Sequence, residues 1–521
     1  MDRVGKRAFP ALLDEQAALH GDHPFIVHES LDGHVSSLTY ADVRELALRY
    51  GAALQSAGLE PGARAFVLLR NTADFVPLWF GIMAVGGVFA PGNIYLTAPE
   101  IEQLVRLIDP SIIVTETRFL PVLCEAIRTI DKPITLVSVD GVPGTIALPD
   151  LVAKAPQLNP VQNQAEDLAQ IIFTSGTSSR PKGVMLTHGN LIWCGLAGAA
   201  NTGLSKGDRS FNNKPLFHVN CQETVLSCLM VGATAIIGER YSASRYISQL
   251  IRHDATICSL SGMICRTLIN QAPHENDRAH RIRFAGYGIN ISEREMTAFT
   301  ERFGMRIRNG YGQSEAMVYI SLEALGSPST YPSIGRPAFG REVFIVDERN
   351  CILPANQIGE IVVRGDPGRN LMLGYYRDEN ATSAAFDGGW LHTGDLGSFD
   401  ATGNLYFQGR LGDMIKRAGE NISVQEVEDV LVGHHAVKDA AVIGVQDPVR
   451  DQAVKAFVVL QEGCAAGADE LREFCSTRLA YFKVPEFFDF LPELPRNASG
   501  KVMKRQLEAA SGDTSNRGLS S

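Results

Sequence analysis

Fourteen consecutive residues, Ile171 to Val184, constrain this chain more than any other stretch. Ile171-Ile172-Phe173 reads as the end of a buried strand. Five hydroxyl side chains, two glycines, Arg180 and Lys182 then follow within eleven residues. Such a loop can turn backbone N–H groups, hydroxyls and cationic ends towards one anion, because glycine permits both the backbone angles and the close approach. Pro181-Lys182-Gly183 and the apolar run Val184-Met185-Leu186 return the chain to the core. The feature implies a strand-borne phosphate site inside an α/β scaffold.

The rest of the chain supplies that scaffold. At 521 residues two or more domains are expected. With 45% hydrophobic and 20% charged residues the composition is ordinary and globular. A net charge of −10 argues against nucleic-acid binding. Nine scattered cysteines without a Cys-x-x-Cys pair read as reduced thiols of a cytoplasmic protein. Neither a signal peptide nor a membrane span is expected.

Residues 39–58 carry helical spacing with Thr39 or Asp42 as the cap. Ala65 to Leu69, Ile112 to Val114 and Ile134 to Val137 read as buried strands, and this alternation predicts parallel βαβ units. The apolar run Phe75 to Ala90 reads as one core helix ended by Pro91-Gly92. Polar residues 155–168 read as a linker. Helices are expected from His188 to Ala200 and over 242–253 and 292–303, the last with a Ser292/Glu295 capping box; strands are expected at 234–237 and 256–260. Residues 341–365 turn to short strands and a β-rich subdomain.

The loop lacks Gly-x-x-x-x-Gly-Lys-Ser/Thr and so is not a P-loop. Together with Tyr311-Gly312-Gln313-Ser314-Glu315, Thr393-Gly394-Asp395, Gly409-Arg410 and Ser499-Gly500-Lys501, it resembles the adenylate-forming superfamily of acyl-CoA synthetases, peptide-synthetase adenylation domains and luciferases. Thr177 to Gly183, Met414 to Arg417, Gly419 to Ser423 and Leu494 to Asn497 are most similar to crotonobetaine/carnitine-CoA ligase-like members. The resemblance implies a large N-terminal α/β domain (1–409) with parallel βαβ sheets. A small mobile α+β cap (410–521) would follow, hinged at 410–413 and ending in a disordered tail at 511–521.

It also implies roles. Thr174, Ser175, Gly176, Thr177 and Lys182 would hold the β- and γ-phosphates of ATP. Tyr311 would pack on adenine, with Gly312 beside it in the cofactor site, the Ser314 hydroxyl would contact the α-phosphate, and Glu315 would bind Mg²⁺, a cation that favours hard oxygen ligands. Asp395 and Arg410 would meet the ribose. Lys501 would bridge the substrate carboxylate and the α-phosphate, a task suited to a flexible ammonium. Lys416, Gly419 and Glu420 would line the CoA path. His218 would gate an acyl pocket that includes Val219, Asn220, Glu223, Gly286, Tyr287, Gly288 and Met317, drawn from segments 218–223, 262–266, 286–290 and 316–318. Glu223 is the one acidic candidate for a trimethylammonium group, and the glycine-rich Ala285 to Ile289 departs from the carnitine-like pattern. The expected partners are a small carboxylic acid, ATP, and CoA, an amine or a carrier-protein pantetheine as acceptor; a homodimer is compatible with all of these.

Overall fold

In the computed structural model, residues 4–156, 158, 161–174, 181–288, 291–327, 329–411, 414–417, 420–447, 451–479, 481–496 and 502–512 are described. The apolar strands of the first half build two large sheets. Nine strands lie in the order Arg336–Pro337, Val318–Leu322, Ile307–Gln313, Phe284–Tyr287, Ile257–Ser259, Arg209–Asn212, Thr234–Gly238, Pro24–Glu29 and Val35–Thr39. The six from Ile307–Gln313 to Pro24–Glu29 are parallel, and the edges are antiparallel. Eight strands form the second sheet: Gly374–Tyr375, Lys182–Thr187, Leu168–Thr174, Val88–Pro91, Arg64–Leu68, Ile112–Thr115, Thr135–Ser138 and Ile146–Ala147. From Leu168–Thr174 onward they are parallel.

Parallel strands covered on both faces are apolar throughout, as Ala65, Phe66, Val67 and Leu68 are here, all buried. One core joins Phe25 of the first sheet, Phe89 of the second and the helices Tyr40–Ser56, Phe75–Ala84, His188–Thr202 and Val219–Val231. Of the two caps expected for the first of these helices, Thr39 is the N-cap and Asp42 completes its capping box. The Ser292/Glu295 box opens Glu293–Phe303 as expected.

Two sequence expectations need correction. The run Phe75 to Ala90 is a helix only to Ala84; Gly86 leaves it at φ 74°, and Val88–Pro91 becomes a strand paired with Arg64–Leu68. Complete burial of both pieces removes the polar face that would tell helix from strand. Of the tail expected over 511–521, Ser511 and Gly512 instead belong to the helix Lys504–Gly512; residues 513–521 lie outside the described residues.

The β-rich segment is a four-stranded antiparallel sheet, Glu342–Val346, Gly359–Arg364, Leu391–Phe399 and Leu405–Arg410. Beyond it a five-stranded sheet carries Met414–Arg417, Glu420–Ser423, Val437–Asp447, Asp451–Leu460 and Phe487–Phe490. With the helices Val424–Val432 and Ala468–Ser476 it closes on its own core of Ile415, Val427, Leu431, Val442 and Val458. The hinge candidates Gly412 and Asp413 lie outside the described residues. Among the described residues no helix is long and apolar enough to cross a membrane.

Candidate active site

The phosphate-type loop springs from a hairpin, not from a βαβ crossover. Thr174 ends Leu168–Thr174, Lys182 opens Lys182–Thr187, and the two residues face each other in antiparallel register. Ser175, Gly176 and Thr177 lie outside the described residues. The Lys182 ammonium stands 4.6 Å above the Tyr375 ring centroid. The Tyr375 hydroxyl donates to Glu315 Oε1 at 2.9 Å, and the Met372 N–H donates to the Glu315 carbonyl at 2.8 Å. Burial pushes the Glu315 carboxyl upward, against its hydrogen bonds and the Lys182 charge. Tyr375 was not anticipated, and Gly374-Tyr375-Tyr376 alone carries no signal for it. Its place comes from the pairing of Gly374–Tyr375 with Val184 and Met185.

Glu315 sits in a tight turn. Ile307–Gln313 passes through the short helical turn Ser314–Ala316 and returns as Val318–Leu322. At Gly312 a Cβ would fall 1.3 Å from the Val318 carbonyl oxygen, so no side chain fits there. Met317 and Val318 take φ of 48° and 80°, a left-handed geometry costing roughly 1–2 kcal/mol per residue for L side chains. Buried Arg341 holds this turn: its guanidinium donates to the carbonyls of Ala316 and Asn370, and at 3.0 Å to that of Tyr319.

The third expected motif meets the second. Gly394, at φ 71°, bends the strand Leu391–Phe399 so that Asp395 pairs in register with Arg410. Arg410 Nε lies 3.3 Å from Asp395 Oδ1, and the Tyr311 hydroxyl donates to Oδ2 at 2.7 Å. The Phe407 ring stands 6.0 Å from that of Tyr311. Tyr311, Asp395 and Arg410 thus form one wall.

Beside it opens a cavity of about 280 Å³ lined by His218, Val219, Asn220, Gly286, Tyr287, Gly288, Tyr311, Gly312, Ser314 and Val318, with Lys214, Ser259, Leu260 and Tyr319. Six expected pocket residues therefore converge with three expected nucleotide residues. His218 is the N-cap of Val219–Val231 and is exposed onto the cavity. The protein packed around it, and then the Lys214 charge, pull its imidazole down to about 4, so it is neutral at pH 7.

Glu223 and Met317 are not among the lining residues. Glu223, one turn along the same helix, borders a separate cavity of about 20 Å³, with Ser259, Gly286 and Tyr319 common to both. Burial pushes its carboxyl up to about 7, opposed by the Ser227 hydroxyl at 3.2 Å and the Lys214 charge. Met317 is buried, its carbonyl 3.9 Å from the Cys194 thiol. The segment 262–266 lies in the helix Gly262–Ile269 and does not line the cavity either. Ile289 and Asn290 lie outside the described residues.

Lys416 and Glu420 stand in a hairpin where Lys416 pairs with Asn421 and Arg417 with Glu420. The side chains of Lys416 and Glu420, and Gly419 and Lys501 entirely, lie outside the described residues. Among the described residues no cluster of three His, Cys, Asp or Glu side chains could hold a metal. A single carboxylate, Glu315, beside a phosphate-type loop fits Mg²⁺, which is usually held by one or two carboxylates plus substrate phosphates.

Residues 13–376 match the model of the AMP-binding enzyme family, and 426–501 match that of the AMP-binding enzyme C-terminal domain. The chain is 36% identical over 519 residues to the crotonobetaine/carnitine–CoA ligases of Salmonella paratyphi C and Salmonella typhimurium, covering 98% of this chain and 100% of each relative. Among solved structures it is similar to the o-succinylbenzoate CoA synthetase of Bacillus subtilis with its acyl-adenylate intermediate. That likeness has a TM-score of 0.84 and 28% identity, over 96% of this chain and 98% of that one. The same synthetase with ATP and magnesium ion gives a TM-score of 0.84 and 28% identity, over 96% and 100%. An anthranilate CoA ligase with anthranoyl-AMP gives 0.87 at 25% identity, over 97% of both chains.

Proposed function

The chain belongs to the AMP-binding enzyme family, and we propose that it is an AMP-forming acid–CoA ligase. In the first step a carboxylate oxygen of the acid attacks the α-phosphorus of ATP. The bond to the bridging oxygen breaks, and acyl-AMP and pyrophosphate form. In the second, the CoA sulfur attacks the acyl carbon, the mixed-anhydride C–O bond breaks, and AMP leaves with the acyl-CoA product. The observation that carries this reading is that Tyr311 to Ser314 line the cavity while Tyr311 holds the Asp395–Arg410 pair and Glu315, next to Ser314, meets Tyr375 and through it Lys182.

Thr174, Ser175, Gly176, Thr177 and Lys182 bind the β- and γ-phosphates. Tyr311 and Gly312 present a flat face to adenine, and the Ser314 hydroxyl donates to the α-phosphate. Asp395, whose oxygens now serve Tyr311 and Arg410, accepts from the ribose hydroxyls. Glu315 would hold Mg²⁺, which when bound neutralises phosphate charge. His218 borders the acyl site as a neutral gate. Donors fixed before the reaction at the developing charge lower the barrier without reorganisation.

Lys501 is assigned to the bridge between substrate carboxylate and α-phosphate. Lys416, Gly419 and Glu420 are assigned to the pantetheine path, with 1–409 as the adenylation domain. A turn of 410–521 about 410–413 would exchange the two at one site, as in other hinged enzymes. The two family matches leave 377–425 between them, which supports a boundary in that region. CoA is favoured over an amine acceptor because the full-length relatives are CoA ligases. All nine cysteines are free thiols, which supports a cytoplasmic setting.

The test is ATP–pyrophosphate exchange with a panel of acids. Lys501→Ala should lose acid-dependent exchange by about 10²-fold or more while still passing the acyl group of supplied acyl-AMP to CoA. Undiminished exchange would remove Lys501 from the first step.

A further inference from the structure

The acyl cavity contains a cation that neither the expected motifs nor the roles above use. Lys214 lines it beside His218 and Asn220. Its backbone is clamped: the Lys214 N–H donates to Asn212 Oδ1 at 3.0 Å, and Asn71 donates to the Lys214 carbonyl at 2.9 Å and accepts from the Leu216 N–H at 2.8 Å. The ammonium itself donates to the Leu260 carbonyl at 3.2 Å. Among the described residues no carboxylate forms an ion pair with it within 4 Å; Glu223, whose charge acts on it from further off, borders the neighbouring cavity. A charge in the interior is ordinarily paired, because desolvation without a partner is costly. Here the side turned to the cavity has none.

Position adds a length. Leu260 follows the strand Ile257–Ser259, which lies two places across the sheet from Ile307–Gln313, the strand leading into Ser314. Strands are spaced by about 4.8 Å, so these two strands lie about 10 Å apart across the sheet; Ser314 also stands beyond Asn309, the residue level with Leu260, so the two ends of the cavity are separated by at least that much. Next to Lys214, Asn220 accepts from the Ser259 hydroxyl at 3.3 Å, and its amide NH₂ has no hydrogen-bond partner among the described residues. One cation and one amide donor therefore face the same end of the cavity.

We propose that this cavity selects carboxylic acids bearing a second anionic group about 10 Å or more from the reacting carboxylate, with Lys214 as the counter-ion of that group. The inference rests on the acid–CoA ligase reading and adds a substrate class to it. Burial pulls the Lys214 ammonium down to about 8, with the Cys221 and Glu223 charges opposing; it remains largely protonated at pH 7. A bound carboxylate would supply the pairing that the protein leaves open. An acid with a quaternary ammonium at the same place would set two cations against each other.

The experiment compares suberic, sebacic and dodecanedioic acids, their monomethyl esters and trimethylammonium acids of equal length by pyrophosphate release. It uses the full chain and Lys214→Met, Lys214→Glu and Lys214→Arg. For the unaltered chain the expected kcat/KM ratio of diacid to monoester is about tenfold or more, the worth of one charged hydrogen bond. Lys214→Met should bring the ratio near one, mainly through KM, Lys214→Arg should restore it, and Lys214→Glu should turn preference towards the cationic acid. The preferred diacid alone should raise the melting temperature of the unaltered chain and not that of Lys214→Met. A ratio near one at every length that none of the variants moves, with release from the acids of all three kinds, overturns the inference and leaves the ligase reading standing. No release from any acid, including a wider panel, overturns the ligase reading and the inference with it.

Discussion

Arg341 offers the sharpest check on how the site is built, because it touches none of the reacting groups. It donates to three carbonyls, those of Ala316, Tyr319 and Asn370, and so ties the strained Met317–Val318 turn to the loop before Tyr375. Ala316 and Arg341 are buried, so Arg341→Met leaves carbonyls without donors or water. A buried group that loses a charged partner costs about 1–3 kcal/mol, and relaxation of the turn recovers part of this. A net loss of about 3–5 kcal/mol is expected, the range for breaking a buried network. Lysine cannot span three carbonyls with one ammonium, so Arg341→Lys should recover little. In thermal unfolding the N-terminal transition should fall on the order of 4–6 °C. The KM for ATP should rise, because Gly312, Ser314 and Glu315 ride on the same turn. Arg341→Met with unchanged unfolding and unchanged KM would show that the left-handed pair is held by other contacts.

Two further outcomes are expected. Asp395→Asn should raise the KM for ATP about 10–100-fold, the equivalent of one or two charged hydrogen bonds, with little change in kcat; a change under twofold would remove Asp395 from the ribose. Glu223 binds its proton more tightly in the folded chain, near pH 7, than the ordinary 4.5 of a free carboxyl, so folded stability should fall as pH rises between these values and level off above. Glu223→Gln should therefore stabilise the protein at pH 8 by up to about 3 kcal/mol and change little at pH 4.5. Melting curves of equal offset at both pH values would contradict that assignment.

The local parts of the site were legible in the sequence. Glycine, hydroxyl and lysine in one loop, or an acid after Gly394, announce themselves because their chemistry is packed into a few residues. Capping boxes at Thr39 and Ser292 were readable for the same reason. Arg341, Tyr375 and Lys214 were not, because each works through partners far off in the chain: Tyr375 meets Glu315 at a separation of 60 residues and Arg341 meets Ala316 at 25. Lys214 is the only charged residue between Ser210 and Gln222, a signal that becomes meaningful only once the sheet order places it at the cavity beside His218. The split of Phe75 to Ala90 into helix and strand was hidden because both pieces are buried on every side, which erases hydrophobic periodicity. Glu223 was drawn into the pocket by its nearness in sequence to His218, and one helical turn carries it to the next cavity.

The central claim is the two-step transfer to CoA. Its most direct measurement is mass spectrometry of the products formed from a carboxylic acid, Mg·ATP and CoA, with the acid varied over a panel. The account predicts acyl-CoA and AMP in equal amounts, with one pyrophosphate for each. Acyl-AMP that accumulates without thioester and yields an amide when an amine is added would contradict it.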